Sequence, residues 1–376
     1  MTMRQQLRWW KPMTEPNATT DSDAKIEVNG LKKHFMADDD LFARLFGWGE
    51  PKRVKAVDGV DLQIKEGEAV GVAGESGCGK TTLGKTLLGL HEPDGGSIHF
   101  DGHDITESTD IEEIDFRTEA QVIQQDPYKS LNPRFTVFNW IKEPLDIHNI
   151  GTAEEREAKV MESIEMAGLR PAEAYANEYP SELSGGERQR VGIARAIVLE
   201  PSFLVADEPV SMLDVSVRAS VLGLLQNLQK ELDLSILYVS HDLSLLKHTC
   251  DRLVIMYLGR VVEEGPATEV INNPKHPYTK ALVSSTPVID PDTDRKAIEI
   301  EGEVPDPVNL PSGCRFAPRC PEAKPECREG EPQMYDVGED QTARCILYDD
   351  ELTDGTGSAL ESGFNNAEAE PPTESS

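Results

Sequence analysis

Lys25–Leu31, with apolar Ile26, Val28 and Leu31, and Val54–Ile64, which alternates through Val60, Leu62 and Ile64, both read as strands. Glu68–Ala73 is a short apolar strand that runs into a glycine-rich turn. In Lys80–Leu90 the period changes. Leu83, Leu87 and Leu90 lie at spacings of four and three, which predicts a helix, and Pro93 follows its end. Ser97–Phe100 followed by Asp101-Gly102 reads as a strand and turn. Thr152–Gly168 and Pro171–Asn177 read as helices, charged outside and apolar inside, and Gly185–Leu199 as another. A buried strand follows at Phe203–Ala206, then a helix over Val215–Leu232 and strands at Ser235–Val239 and Leu253–Tyr257. Strands alternating with helices imply an α/β fold on a parallel sheet, with ligands held at its C-terminal edge.

Outside this periodic region the pattern weakens. Residues 1–24 are polar and read as loose, apart from Trp9-Trp10. Ala37–Lys52 is an insertion carrying Phe42, Leu45, Phe46 and Trp48. After Pro287 the chain becomes proline-rich and then cysteine-bearing, which marks a boundary, and from about Asp349 it reads as a low-complexity, disordered tail. No motif occurs twice.

Composition narrows the function classes. The 376 residues hold 68 acids against 37 Lys+Arg, a formal charge of −31, which argues against a broad basic surface for nucleic acid. No uncharged apolar run approaches the ~18 residues a membrane span needs. Met1–Thr20 lacks the apolar core of a secretory signal, and six cysteines do not make a disulfide scaffold, so the expectation is a soluble, cytosolic chain. The acid surplus is spread widely. Residues 346–376 hold eight acids and no bases, which explains only part of it. Adaptation to a salt-rich, halophilic cell interior is the favoured reading, and an ordinary acidic protein with an acidic tail the other.

Three segments carry phosphate chemistry. Gly74-Glu75-Ser76-Gly77-Cys78-Gly79-Lys80-Thr81 fits G-x-x-x-x-G-K-[ST] between a strand and a helix. Its glycines let backbone N–H groups turn inward as an anion nest, and the helix N-terminus points at the same phosphates. Lys80 can neutralise the β- and γ-phosphates, and the Thr81 hydroxyl can ligate Mg²⁺. Phe203-Leu204-Val205-Ala206 then delivers Asp207-Glu208 to the same edge of the sheet. Asp207 would hold Mg²⁺ and Glu208 would deprotonate the attacking water. Taken alone, the pair would read as two acids capping a strand. Between the two, Leu183-Ser184-Gly185-Gly186-Glu187 offers a hydroxyl and free N–H groups at a helix start, a second anion site, or simply an N-cap before a flexible turn.

On these residues the chain resembles the ATP-binding subunits of ABC transporters over roughly residues 25–285. The motifs fall in the family's order: phosphate loop, Gln125, Leu-Ser-Gly-Gly-Glu, Asp207-Glu208, Ser211-Met212-Leu213-Asp214, then His241. The resemblance implies a P-loop (RecA-like) parallel-sheet ATPase core with antiparallel strands, an inserted helical subdomain at about 127–190, and a small cysteine-containing C-terminal extension at 286–348. It implies ATP and Mg²⁺ as ligands. Residues Gly74 to Thr81 together with Thr82 would cradle the nucleotide. Gln125 would touch Mg²⁺ and the water, His241 would bond the γ-phosphate, and Phe35 would stack on adenine. Ser184, Gly185, Gly186 and Asp214 would close on the ATP of a second ATPase subunit, identical or similar. Met212 departs from the family, which usually has Ala there.

The likeness narrows to the oligopeptide/dipeptide importer ATPases, and most to the second of the two subunits those systems pair. Leu31-Lys32-Lys33-His34-Phe35, Ala56-Val57-Asp58-Gly59-Val60, Ser130-Leu131-Asn132-Pro133-Arg134 and His276-Pro277-Tyr278-Thr279-Lys280-Ala281-Leu282 carry it. Partners implied are two membrane permease subunits and, indirectly, an external solute-binding protein, with no nucleic acid and a place on the cytoplasmic face of the cell membrane. The cargo stays open among peptides, nickel and sugars. A soluble ABC-type ATPase acting on DNA or ribosomes is the alternative. Such proteins usually bring coiled-coil insertions, tandem cassettes or basic arms, and none is present here. A regulatory partner that does not turn over ATP is opposed by Lys80, Glu208 and His241.

Cys314, Cys320, Cys327 and Cys345 follow the ATPase core, with Arg315, Arg319, Lys324 and Arg328 among them. A Cys₄ site carrying Zn²⁺ or a [4Fe–4S] cluster keeps net negative charge, which nearby cations would help hold. Spacing alone favours neither metal, and four free or paired cysteines is the remaining reading. The resemblance implies the iron–sulfur cluster ahead of zinc. Cys78 reads as a small filler in the phosphate loop and Cys250 as core packing.

Overall fold

The computed structural model describes residues 24–36, 52–106, 116–126, 131–285, 298 and 300–349. Trp9-Trp10, most of the insertion, Ser130 and the acidic tail lie outside the described residues. In chain order the strands are β1 (Ala24–Met36), β2 (Arg53–Lys65), β3 (Ala69–Ala73), β4 (Gly95–Phe100), β5 (His103–Asp104) and β6 (Ala120–Ile123), then β7 (Phe203–Asp207), β8 (Ser235–Val239), β9 (Arg252–Tyr257), β10 (Arg260–Pro266), β11 (Tyr335–Gly338) and β12 (Gln341–Ala343). The helices are α1 (Lys80–Leu87), α2 (Phe116–Glu119), α3 (Val137–Ile147), α4 (Ala153–Met166), α5 (Ala172–Ala176), α6 (Gly185–Ile197), α7 (Val215–Leu232), α8 (Leu243–Thr249), α9 (Ala267–Asn272) and α10 (Pro277–Ser285).

Strand β3, Ala-Val-Gly-Val-Ala, is buried at all five positions, as a strand covered on both faces must be. It sits inside an eight-stranded sheet ordered β11-β12-β10-β9-β3-β8-β7-β6. The stretch from β9 to β6 is parallel, as the alternation of elements predicts, and β10, β12 and β11 add an antiparallel edge. The second sheet, β2-β1-β4-β5, is antiparallel.

Helix α1 is wedged between the two sheets. Its Leu83 and Leu87 are fully buried among Val28, Val57, Val205 and Leu237, each worth about 2 kcal/mol of transfer free energy. The helix stops three residues short of the predicted Leu90. Gly89 takes the left-handed conformation at φ 65°, its N–H bonds Thr86 O, and Leu90 N–H bonds Lys85 O, which ends the helix and leaves Leu90 57% exposed. Gly168, at φ 76°, ends α4 in the same way, while Thr152 opens it with a capping box to Glu155.

A second apolar core lies on the other side of the eight-stranded sheet, beneath α7, α8 and α9. A third binds α3, α4, α5 and α6 to one another through Trp140, Ile141, Ile164 and Val191. The chain after residue 300 is not a loose appendage. Its hairpin β11–β12 joins the main sheet at β10, with Glu263 opposite Ala343 and Glu264 opposite Thr342. Glu263 is fully buried there and accepts from the backbone N–H groups of Lys275 and His276 and from Gln341 Nε2.

Candidate nucleotide site

The loop after β3 is shaped by steric exclusion. Gly79 has φ 107°, and a Cβ there would lie 1.9 Å from Ala56 O; at Gly74 one would lie 2.2 Å from Met256 O. Only glycine fits either position. Across this turn Lys80, itself buried, donates to Gly74 O at 2.7 Å and Glu75 O at 3.0 Å. Ser76 and Gly77 are exposed at the tip, and Thr82 is half-buried in α1. Cys78 is buried, burial pushes its thiol pKa up, and the Lys80 ammonium stands 3.7 Å from its sulfur, which suits a small filler.

The parallel register assembles the rest. Asp207 ends β7 beside Val239 of β8, and Ala206 pairs with Ile123 of β6. Three strand ends therefore release Gln125, Asp207-Glu208 and His241 along one edge. Thr81 Oγ1 donates to Asp207 Oδ1 at 3.1 Å, so the loop and the acidic pair share one face. Burial raises the Asp207 pKa against the Thr81 bond, and the neighbouring Glu208 charge raises it further. Glu208 is bracketed. Gln125 Nε2 donates to its Oε2 at 2.9 Å, and His241 Nδ1 lies 2.9 Å from its Oε1. Its backbone takes the left-handed region at φ 45°, fixed by its N–H to Val239 O. A non-glycine residue held there stores strain of ~1 kcal/mol or more.

The signature residues form a second group. Ser184 caps α6, its Oγ accepting from Glu187 N–H at 3.3 Å while the Glu187 carboxylate accepts from Ser184 N–H at 2.8 Å. Asp214 is exposed at the start of α7. The two helices meet where Gly186 faces Val217, leaving no room for a side chain, since a Cβ would sit 2.5 Å from Val217 Cγ1. Met212 and Val215 are 60% and 80% exposed on this face. Among the described residues no hydrogen bond joins Ser184, Gly185, Gly186 or Asp214 to the phosphate loop of the same chain. Phe35 lies on β1 opposite Val54, its ring edge-on to His91 at 5.4 Å and under Lys33 Nζ at 5.5 Å.

Cys314, Cys320, Cys327 and Cys345 line one pocket with Phe316 and His276, with free space of about 10 Å³. Among the described residues no group of three His, Cys, Asp or Glu stands ready to hold a metal ion. Two of the cations expected to offset charge at the cysteines, Arg315 and Arg319, turn to the ATPase core instead. Arg315 bonds Asp58 and Leu258 O, and Arg319 makes a two-pronged pair with Glu75, Nη1 to Oε2 at 2.9 Å and Nη2 to Oε1 at 3.2 Å. The reason is that both are deeply buried, where an arginine needs a carboxylate partner. Tyr278 of α10 also reaches the loop, its hydroxyl accepting from Glu75 N–H at 2.8 Å. Residue type gives no sign of either contact in the sequence, because the partners lie 244 and 203 residues apart.

Two family descriptions match this chain: ABC transporter over residues 57–211, and oligopeptide/dipeptide transporter, C-terminal region, over 262–327. The dipeptide transport ATP-binding protein DppF of Haemophilus influenzae is 44% identical over 89% of this chain and 99% of its own length. The oligopeptide transport ATP-binding protein OppF of Salmonella typhimurium is 46% identical over 82% and 92%. This chain belongs to the oligopeptide/dipeptide transporter family of ABC ATP-binding proteins. Similar solved structures include a dimeric ATP-binding cassette in a post-hydrolysis state bound to ADP and Pi, and CbiO1 from Clostridium perfringens, part of the ABC transporter complex CbiONQ. Each is 28% identical; they cover 64% and 67% of this chain, and 98% and 92% of their own, at TM-scores of 0.55 and 0.56. Members of this family hydrolyse ATP to drive transport, and this chain, as an ABC ATPase, binds ATP. Among the described residues no helix is long and apolar enough to cross a membrane.

Proposed function

We propose that this protein is the ATP-hydrolysing subunit of an ABC importer for di- and oligopeptides, working at the cytoplasmic face of the cell membrane. One observation carries the reading: the transporter-type C-terminal region is joined to a nucleotide site whose proposed catalytic side chains already converge on Glu208. The partners are a second ABC ATPase subunit, identical or similar, two membrane permease subunits and an external solute-binding protein. Residues 25–285 form the ATPase unit, with the helical subdomain near 127–190, and 286–348 form the extension.

In this reading Lys80 and the loop amides hold the β- and γ-phosphates, and Phe35 stacks on adenine. Mg²⁺, when bound, neutralises charge on the phosphate oxygens. The Thr81 hydroxyl and the Asp207 carboxylate, 3.1 Å apart, are hard oxygen donors that suit it, with Gln125 beside them. Glu208 takes the proton from water as its oxygen attacks the γ-phosphorus. The bond to the bridging oxygen breaks, and ADP leaves with that electron pair. His241 orients the water and bonds the γ-phosphate. Ser184, Gly185, Gly186 and Asp214 serve the ATP of the partner subunit, which is consistent with their separation from the loop of their own chain.

The four cysteines share one pocket and are the ligands expected for a [4Fe–4S] cluster ahead of Zn²⁺, but no three of them are drawn together as a ligand set, so no step is assigned to such a group. They supply four soft sulfur donors, and backbone N–H groups already face the sulfurs: Lys324 N–H on Cys327 at 3.3 Å, with Ala317, Glu322 and Leu347 serving Cys314, Cys320 and Cys345. Uptake of a labelled tripeptide by vesicles carrying the assembled transporter tests the main reading. Native uptake that falls to background in Glu208→Gln, with ATP still bound, is the expected result. Peptide uptake untouched by Glu208→Gln, beside lost uptake of nickel or a sugar, would overturn it.

A further inference from the structure

Every polar part of Glu75 is held. Its N–H is bound by Tyr278, its carbonyl by Lys80, and its carboxylate by both prongs of Arg319. Two of these three anchors come from beyond the sheet core, and Arg319 comes from the cysteine-bearing extension. Arg319 is 8% exposed and also donates to Tyr257 Oη at 3.2 Å, so its fork is fixed in direction before it meets the loop. A bidentate arginine–carboxylate pair, here with the arginine side chain 8% and the carboxylate 25% exposed, is the strong and geometrically specific form of this contact.

A second strap runs parallel to the first. Arg315 bonds Asp58 and Leu258 O, Asp58 N–H bonds Gly259 O at 2.9 Å, and Gly259 N–H bonds Cys78 O at 2.8 Å inside the loop. Arg315 follows Cys314 and Arg319 precedes Cys320. The turn between two cysteines of the pocket is thus tied at both ends to the nucleotide loop.

We infer that Arg319 is a positioning residue for ATP binding: through Glu75 it holds the phosphate loop in its binding shape, so that nucleotide affinity depends on the docked extension. The inference rests on the reading of this loop as the ATP site and is independent of the cargo. An anion nest works only while its N–H groups converge, and Glu75, whose own N–H is held by Tyr278, is the second residue of the loop that shapes it. Releasing its carboxylate lets the residue turn, and the loop must then be re-ordered at the expense of binding.

The test is titration of the full chain with a fluorescent ATP analogue and Mg²⁺, with steady-state hydrolysis by the assembled transporter alongside. Arg319→Gln is expected to weaken binding roughly tenfold, the scale of one charge-assisted hydrogen bond, and to raise KM while kcat at saturating ATP stays near native. Arg319→Lys keeps the charge without the fork and should fall between. Glu75→Gln should match Arg319→Gln, and the double variant should be no worse than either single one, because both break the same contact. Arg328→Gln, an exposed change of the same charge on the same extension, should bind as the native chain does. Native-like affinity in a folded Arg319→Gln, or additive losses in the double variant, would overturn the inference. Should Arg319→Gln fail to fold, Arg319→Lys and Glu75→Gln decide by the same criteria. A native chain that binds no analogue would refute the ATP-site reading itself.

Discussion

Glu208 and Asp58 show how differently two partnered carboxylates are used. Glu208 has one neighbour on each oxygen and a strained backbone, an arrangement that aims the group. Asp58 is buried between Arg315 and His34 at 3.0 Å, an arrangement that fastens one element to another. Burial alone would push the Asp58 pKa up. The Arg315 bond and charge, together with the His34 bond and the Lys55 charge, outweigh it, and the pKa is lowered from 3.8 to about 2. The sign follows. Because the folded value lies below the unfolded one, the stabilisation is fully present above about pH 4 and is lost as pH falls towards about 2. Its size is about 2 kcal/mol. Asp58→Asn is therefore expected to be less stable than the native chain at neutral pH, with the gap in unfolding free energy narrowing between pH 5 and pH 3. Denaturant titrations at stepped pH would measure it, and a constant gap would show that Arg315 gains nothing from the Asp58 charge.

At the scale of elements, helix α6 shows why one segment supports two readings. Ser184 is an N-cap in this chain, and the same hydroxyl is proposed for the partner's ATP. Substitution separates the roles, because Gly is nearly as good a cap as Ser whereas Ala is about 1 kcal/mol worse. Ser184→Gly should keep nearly native thermal stability and lose most ATP turnover; Ser184→Ala should lose both. Turnover preserved in Ser184→Gly would leave Ser184 a cap and nothing more. Elements with strong local signals were legible in the sequence. Val215–Leu232 and Ser235–Val239 match α7 and β8 residue for residue, and β3, α1 and β7 need only small changes at their ends. The hairpin β11–β12 was not, because its strands of four and three residues, Tyr-Asp-Val-Gly and Gln-Thr-Ala, are too short to show a period. What makes them strands is the free edge of β10. The same holds for the site. Its loop and acids are written locally, whereas the pairing of Glu75 with Arg319 depends on where the extension docks.

At the scale of the whole molecule, the formal charge of −31 sets a long-range term that no single contact reveals. The described ion pairs join particular acids to particular bases, such as Lys25 to Asp101 and Arg252 to Glu68, but 37 bases cannot neutralise 68 acids. The uncompensated acids repel one another in the compact state more than in the expanded chain, which lowers stability at low ionic strength. Salt shortens the reach of that repulsion, from a Debye length of roughly 8 Å at physiological ionic strength to about 3 Å at 1 M. The buried Arg315–Asp58 pair is sheltered from the same screening, and the Arg319–Glu75 pair, whose carboxylate is 25% exposed, is partly so. Raising KCl should therefore remove the destabilising term while leaving the straps to the phosphate loop intact. The thermal midpoint is expected to climb steadily from 0.1 M to above 1 M KCl, with no loss of affinity for the ATP analogue beyond that of a neutral-surfaced cassette. A midpoint that is flat or falls with KCl would show that the acid surplus is already balanced within the fold.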